Sequence, residues 1–333
     1  MKKRNLNIFD AGIAFVIAFI LAQFTAVIGI VVSEFVMDIC GMSASQIDKF
    51  WNGVWGYLLQ GIYMNIAFII VFVWYYMHRN KQPMLTKPSK PTIKYVGYCV
   101  LIGIASLFLL SGVLNYFQLI LDKLNYSVST LTYEINSPLT YIISLISLAL
   151  LPAVCEELIF RGIITTALKQ KGETFAIFMS SAMFAIFHFS PSQLIYPMCF
   201  GLILSIVYLR TRNIIFPILL HFINNALSVS IQYFSNSSSG TFTHSTSMLL
   251  YAIITFAIWI YIIYRLFKDF KQHSTQQSTQ NTSAENNTEN NISQNADIIT
   301  EQTQTLENDK LNHKVLYGSI ILMILIYILL LFA

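Results

Sequence analysis

Long apolar runs separated by short polar breaks occupy most of the chain. A hydrocarbon core of about 30 Å is crossed by about 20 apolar residues in a helix. Runs of that kind fall at 9–33, 54–77, 95–121, 138–160, 173–189, 193–209, 212–234, 247–267 and 314–333. The pattern predicts an all-α fold, a polytopic transmembrane helix bundle of about eight core spans plus a C-terminal ninth helix. The opening "MKKRNLNIFDAGIAFVIAF" has the charged start of a signal peptide. Its apolar run is long and lacks a small-residue cleavage site, so a retained first span is expected.

Between the eighth and ninth runs, "QHSTQQSTQNTSAENNTENNISQNADIITEQTQTLEND" is a Gln/Asn/Ser/Thr tract. It has too few apolar groups to offset the entropy of folding and is expected to be a disordered linker. The organisation that follows is three N-terminal spans (1–137), a transmembrane core (138–268), a polar cytoplasmic linker (269–312) and a C-terminal anchor (313–333).

Composition agrees with a lipid-embedded chain: 55% of the residues are hydrophobic and only 11% are charged. The cysteines Cys40, Cys99, Cys155 and Cys199 show no C-x-x-C spacing, and most lie in apolar runs as small hydrophobes. With the N-terminus in the cytoplasm, the inside segments hold all of the 20 Lys and Arg residues except Lys49 and Lys123. That orientation puts the end of the ninth helix outside. The lipid bilayer is the expected surrounding, nucleic acid is not an expected partner, and no oligomeric state is assigned.

Polar residues at membrane depth are few, and the strongest of them cluster between 156 and 225. They are Glu156, Glu157 and Arg161 on the fourth run, His188 at the end of the fifth, and His221, Asn224 and Asn225 on the seventh. Such groups are expensive in lipid and by default mark a functional site. Glu157 and Arg161 are four residues apart, on one helix face, and can neutralise each other. Glu156 is rotated by about 100° from Glu157 and has no local cation. An unpaired carboxylate is free to take up a proton, as general acid–base work requires. His221 and Asn225 share a face, as do Phe184 and His188, while Asn224 reads as interhelical glue.

Counting from a turn near Lys171, Glu156 and His188 come out nearly level, at roughly 22 and 25 Å along antiparallel helices. Counting from Arg212, His221 comes out lower, at roughly 13 Å. Pro152, one turn before Glu156, frees the carbonyl of Leu148 and should disturb the helix there.

The set suits hydrolysis of a peptide bond. Glu156 would take a proton from water, His188 would orient that water, and His221 and Asn225 would donate to the oxyanion. The alternative is a divalent metal such as Zn²⁺ held by Glu156, His188 and His221, with bound water as nucleophile. Two other readings compete with catalysis: a membrane immunity protein that binds a partner through its polar cluster, and a proton-coupled transporter. Against the transporter, the first three spans carry no counterpart of the cluster, whereas inverted repeats predict one. H-E-x-x-H, G-x-S-G, G-x-G-D and Walker A motifs do not occur.

Three motifs stand in order on successive runs: "EELIFR" (E-E-x-x-x-R), "FAIFH" (F-x-x-x-H) and "HFINN" (H-x-x-x-N). Over roughly 138–232 the chain therefore resembles the CAAX-protease and bacteriocin-processing family, CPBP, also called Abi. The resemblance implies an integral-membrane endopeptidase, often described as a metalloprotease, although a glutamate-activated water without metal is also proposed for the family. It maps the catalytic glutamate onto Glu156, the two histidines onto His188 and His221, and the asparagine onto Asn225. Glu157 and Arg161 match the family's supporting pair, and Phe184 opens its second motif. Eukaryotic members cleave prenylated CAAX tails, and bacterial relatives are linked to bacteriocin immunity or peptide maturation. A peptide or membrane-protein substrate is the partner this implies.

Overall fold

A computed structural model describes residues 4–77, 81–82, 84–85, 93–123, 135–188, 190–235 and, further on, 253–254, 256–261 and 264. The chain forms helices α1 (Ile8–Ile39), α2 (Ala44–Trp51), α3 (Val54–Met77) and α4 (Ile93–Lys123). A continuous helical rod α5 (Pro138–Lys171) follows, then α6 (Glu173–Phe187), α7 (Ile195–Thr211) and α8 (Ile215–Ser235). Among the described residues, β pairing is limited to a two-residue parallel bridge, Arg4–Asn5 against Lys81–Gln82. Six of these helices are long and apolar enough to cross a membrane, and α6 is a shorter apolar helix. The fold is an all-α bundle of a multi-pass membrane protein. The predicted run 247–267 is described only in part, and the linker 269–312 and the anchor 313–333 lie outside the described residues.

α1 opens with a reciprocal cap. Asn7 Oδ1 accepts the Asp10 N–H at 3.0 Å, and Asp10 Oδ2 accepts the Asn7 N–H at 2.8 Å. Asp10 is buried and also pairs with Lys81 Nζ at 2.9 Å, while Tyr75 donates to its carbonyl at 3.0 Å. The Gln170 side chain donates to the Leu6 carbonyl, tying this end to α5. Only the first part of α1, Ile8 to Ala22, is buried; further along, Phe24, Val31 and Phe35 face outward, and Ile39 is 68% exposed. At 1.5 Å per residue α1 is about 48 Å long, so its outward half continues as an apolar, lipid-facing surface.

α5 is not a uniform α-helix. Leu145–Leu150 and Leu158–Thr165 are π-helical, and the seven residues between them, Leu151–Glu157, are α-helical. Pro152 supplies no N–H, and just before it the Leu151 N–H reaches back to the Ile146 carbonyl. At the end of the second π stretch the hydroxyls of Thr165 and of the next residue, Thr166, donate to the carbonyls of Phe160 and Arg161, at 2.8 and 3.1 Å. Glu156 and Glu157 thus sit at the end of a short α-helical segment held between two widened ones.

Gly172, at φ +109°, turns the chain from α5 into α6. α6 and α7 then pack as a close hairpin lined by small residues, with Ser180 Oγ 3.0 Å from Ser205 Oγ. Arg212, in the left-handed region at φ 52°, starts the turn into α8.

Candidate active site

The short α-helical segment of α5, the end of α6, the first turns of α7 and the middle of α8 meet around a cavity of about 370 Å³. Glu156, His188, His221 and Asn225 all line it, together with Phe184 and Tyr196. The counting that set His221 below Glu156 is corrected here: His221 Nε2 lies 4.0 Å from Glu156 Oε2. A π-helical stretch takes more residues per turn and rises less per residue, which shortens the path from Glu156 to the Lys171 turn. The turns at Lys171 and Arg212 therefore do not share one level.

Glu157 and Arg161 pair as their spacing predicts, Nη1 to Oε1 at 2.8 Å, both fully buried. The pair is not self-contained. Glu157 Oε1 also accepts from His221 Nδ1 at 2.9 Å, and Arg161 Nη2 donates to the Gly201 carbonyl of α7 at 3.3 Å. A carboxylate bound to arginine is an acceptor only, so the proton sits on His221 Nδ1 and Nε2 is the atom facing the cavity. His188 is oriented the same way: its Nδ1 lies 2.9 Å from the Phe184 carbonyl, again an acceptor.

Phe184 packs against three of these groups. The Arg161 guanidinium lies 4.6 Å from its ring centroid. Its ring also meets His188 and His221 edge to face, at 4.9 and 5.9 Å between centroids. Glu156 differs from its neighbour. Its side chain is 18% exposed and lines the cavity, whereas that of Glu157 is fully buried; Oε2 of both glutamates lacks a hydrogen-bond partner among the described residues.

Asn225 donates from Nδ2 to the Leu148 carbonyl at 3.4 Å. Pro152 denies that carbonyl its ordinary α-helical donor, and the Asn225 amide supplies one in its place. Asn224 accepts from the Tyr196 hydroxyl across α7 and α8, an interhelical bond of the kind expected of it. Tyr196 is absent from the sequence-based set. Nothing in a lone tyrosine at the start of an apolar run marks it; only the approach of α7 to α8 does.

A metal would find suitable donors here in one respect, since both histidines have Nδ1 engaged by an acceptor, which leaves Nε2 as the nitrogen to offer a metal. Among the described residues, however, no group of three His, Cys, Asp or Glu side chains comes close enough together to hold a metal ion. Glu156, His188 and His221 share a cavity wall without forming a cage.

Residues 138–227 match the family described as type II CAAX prenyl endopeptidase, Rce1-like. A Bacillus subtilis (strain 168) protein named "Putative membrane peptidase YdiL" is 28% identical over 183 residues, covering 52% of this chain and 72% of that one. No solved structure matches the chain. The matched segment holds Glu156, His188, Tyr196, His221 and Asn225, all of them around the cavity, and over that segment the chain is similar to the Rce1-like CAAX prenyl endopeptidases.

Proposed function

We propose that the chain is an intramembrane endopeptidase in which Glu156 activates the attacking water. The observation that carries this is Glu156 on the cavity wall, its Oε2 without a hydrogen-bond partner among the described residues and 4.0 Å from His221 Nε2. A water between Glu156 and His188 Nε2 gives up its proton to the carboxylate as its oxygen attacks the scissile carbonyl. The oxyanion that forms is held by the Asn225 amide and by His221 Nε2–H. Donation from Nε2 requires a proton on that atom as well as the one that Glu157 Oε1 accepts from Nδ1. Glu156 then returns the proton to the leaving amine, and the products are an amine and a carboxylic acid, which gives up the water's second proton to solvent or to the amine.

The substrate class is a membrane-associated peptide or protein tail, as the family's CAAX specificity suggests. With the N-terminus cytoplasmic, as the basic residues favour, immunity against a bacteriocin or maturation of a peptide are roles such an enzyme would serve. The test is a comparison of membrane peptides from cells carrying the wild-type chain and Glu156→Gln. Uncleaved precursors accumulate in the variant if the reading is right; identical peptide sets sink it.

A further inference from the structure

The proposed oxyanion donor Asn225 stands at one end of a side-chain chain that no catalytic motif contains. The Tyr196 hydroxyl donates to Asn224 Oδ1. Asn224 Nδ2 donates to Asn225 Oδ1 at 3.4 Å, and Asn225 Nδ2 donates to the Leu148 carbonyl at 3.4 Å. Asn224 is buried, and Tyr196 is fixed by stacking on Phe200, ring centroids 5.9 Å apart. Phe200 in turn packs edge to face on His221 at 5.8 Å.

The direction of these bonds matters more than their lengths. A primary amide is a donor on one side and an acceptor on the other, and its function at an oxyanion depends on which side faces the substrate. The Leu148 carbonyl can only accept, so it draws the Asn225 NH₂ toward itself. Asn225 must then offer Oδ1 to Asn224, which offers Nδ2, and the remaining Asn224 Oδ1 needs a donor. Tyr196 is that donor. One Asn225 N–H is directed at Leu148 and the second has no protein partner among the described residues. It is left for the cavity.

We infer that Tyr196, acting through Asn224, is a positioning residue that holds the Asn225 amide with its N–H group toward the reacting carbonyl. This rests on the peptidase reading for its catalytic meaning. Without the phenol, Asn224 Oδ1 is a buried acceptor with no donor, a state that favours rotation of its amide. Rotation presents Oδ1 to Asn225, and Asn225 turns its own oxygen toward the position of the oxyanion. The group that should stabilise negative charge then repels it.

The experiment uses the full-length chain in lipid nanodiscs and an internally quenched, farnesylated CAAX peptide as probe. Tyr196→Phe keeps the ring stack and removes the hydroxyl. It should lower kcat about tenfold with KM changed less than about twofold, because the amide acts on the transition state. In an Asn225→Ala background the same substitution should change kcat less than about twofold, since the residue it acts through is gone. Equal losses in both backgrounds, or a fully active Tyr196→Phe, would overturn the inference. A second arm is independent of activity. With ¹⁵N-asparagine in the chain, the Asn225 side-chain NH₂ signals, assigned by their loss in Asn225→Ala, should shift in Tyr196→Phe and not in Tyr233→Phe. Unchanged signals would overturn the relay even if the rate fell. If the wild type and Glu156→Gln leave the probe equally uncut, the peptidase reading has no support from this probe, while the NMR arm still decides the positioning.

Discussion

His221 donates from Nδ1 to Glu157 Oε1 at 2.9 Å and holds Nε2 4.0 Å from Glu156 Oε2. One imidazole is thus addressed by two carboxylates that are adjacent in sequence and rotated apart on one helix. Glu157, bound on Oε1 by Arg161 and His221 and fully buried, holds position; Glu156, partly exposed on the cavity wall, has the capacity to move a proton. This division of labour needs both glutamates, so substitutions at the two positions should fail in different ways.

Glu156→Gln should abolish turnover without harming the fold. Glutamine preserves the volume of a side chain that lines the cavity and has no hydrogen bond on Oε2 to lose. Loss of a general base lowers rates by about 10²–10⁴-fold. The measurement is kcat on the quenched peptide together with the thermal unfolding midpoint in detergent micelles. A variant that unfolds early would show that Glu156 is a packing residue.

Glu157→Leu should fail through the fold first. It strands the Arg161 guanidinium in a fully buried site, and breaking such a pair costs about 3–5 kcal/mol. Adding Arg161→Met replaces the whole pair by apolar groups and should recover most of that loss, because apolar replacements of buried pairs are often neutral. Activity should stay low in the double variant, since His221 has lost the acceptor on Nδ1. Unfolding midpoints and kcat of both variants, measured side by side, separate the two effects. Recovery of full activity in the double variant would show that Glu157 serves Arg161 alone.

The sequence made the bundle and most of the cluster legible because lipid makes polar residues conspicuous. Seven predicted runs coincide with α1, α3, α4, α5, α6, α7 and α8 to within several residues at most ends. The i, i+4 rule found the Glu157–Arg161 pair and aligned Phe184 with His188. Height was misread, since counting at a fixed rise assumes one helix type and the π-helical stretch Leu158–Thr165 lies between Glu156 and the Lys171 turn. The role of Glu157 toward His221 joins residues 64 apart in sequence, and periodicity within one helix is silent on such a contact. Asp10 and Lys81 escaped for a different reason: each stands at the edge of a run and reads as solvated, yet they are buried against each other.

Gly201→Ala should loosen the site from the α6–α7 hairpin. A Cβ there would stand 3.2 Å from both Cα and Cβ of Ser181 and 3.3 Å from Phe184 Cδ1. The obstacle at Ser181 is backbone, which cannot swing aside, and overpacking of this kind costs about 1–3 kcal/mol. The same carbonyl that Arg161 Nη2 holds would move with α7. The expected result is a lowered unfolding midpoint and a reduced kcat. Gly97→Ala, where an added Cβ meets nothing within 4 Å, is the control and should leave both unchanged.

Removal of divalent metal should leave cleavage intact. The candidate donors are Glu156, His188 and His221, and no three acidic, histidine or cysteine side chains among the described residues close into a cage. A glutamate-activated water asks less of the geometry: one carboxylate on the cavity wall, an imidazole across the cavity to orient the water and a second one near the oxyanion, and Glu156, His188 and His221 line one cavity without having to close on an ion. A catalytic metal would also have to dissociate slowly enough to survive purification, so the check is direct. The enzyme is dialysed against chelator, its metal content is verified by elemental analysis, and kcat is compared before and after. Retained activity assigns water activation to Glu156 itself. Activity lost on dialysis and restored by Zn²⁺ would instead require Glu156, His188 and His221 to draw together around the ion, and the metal-free mechanism would fall.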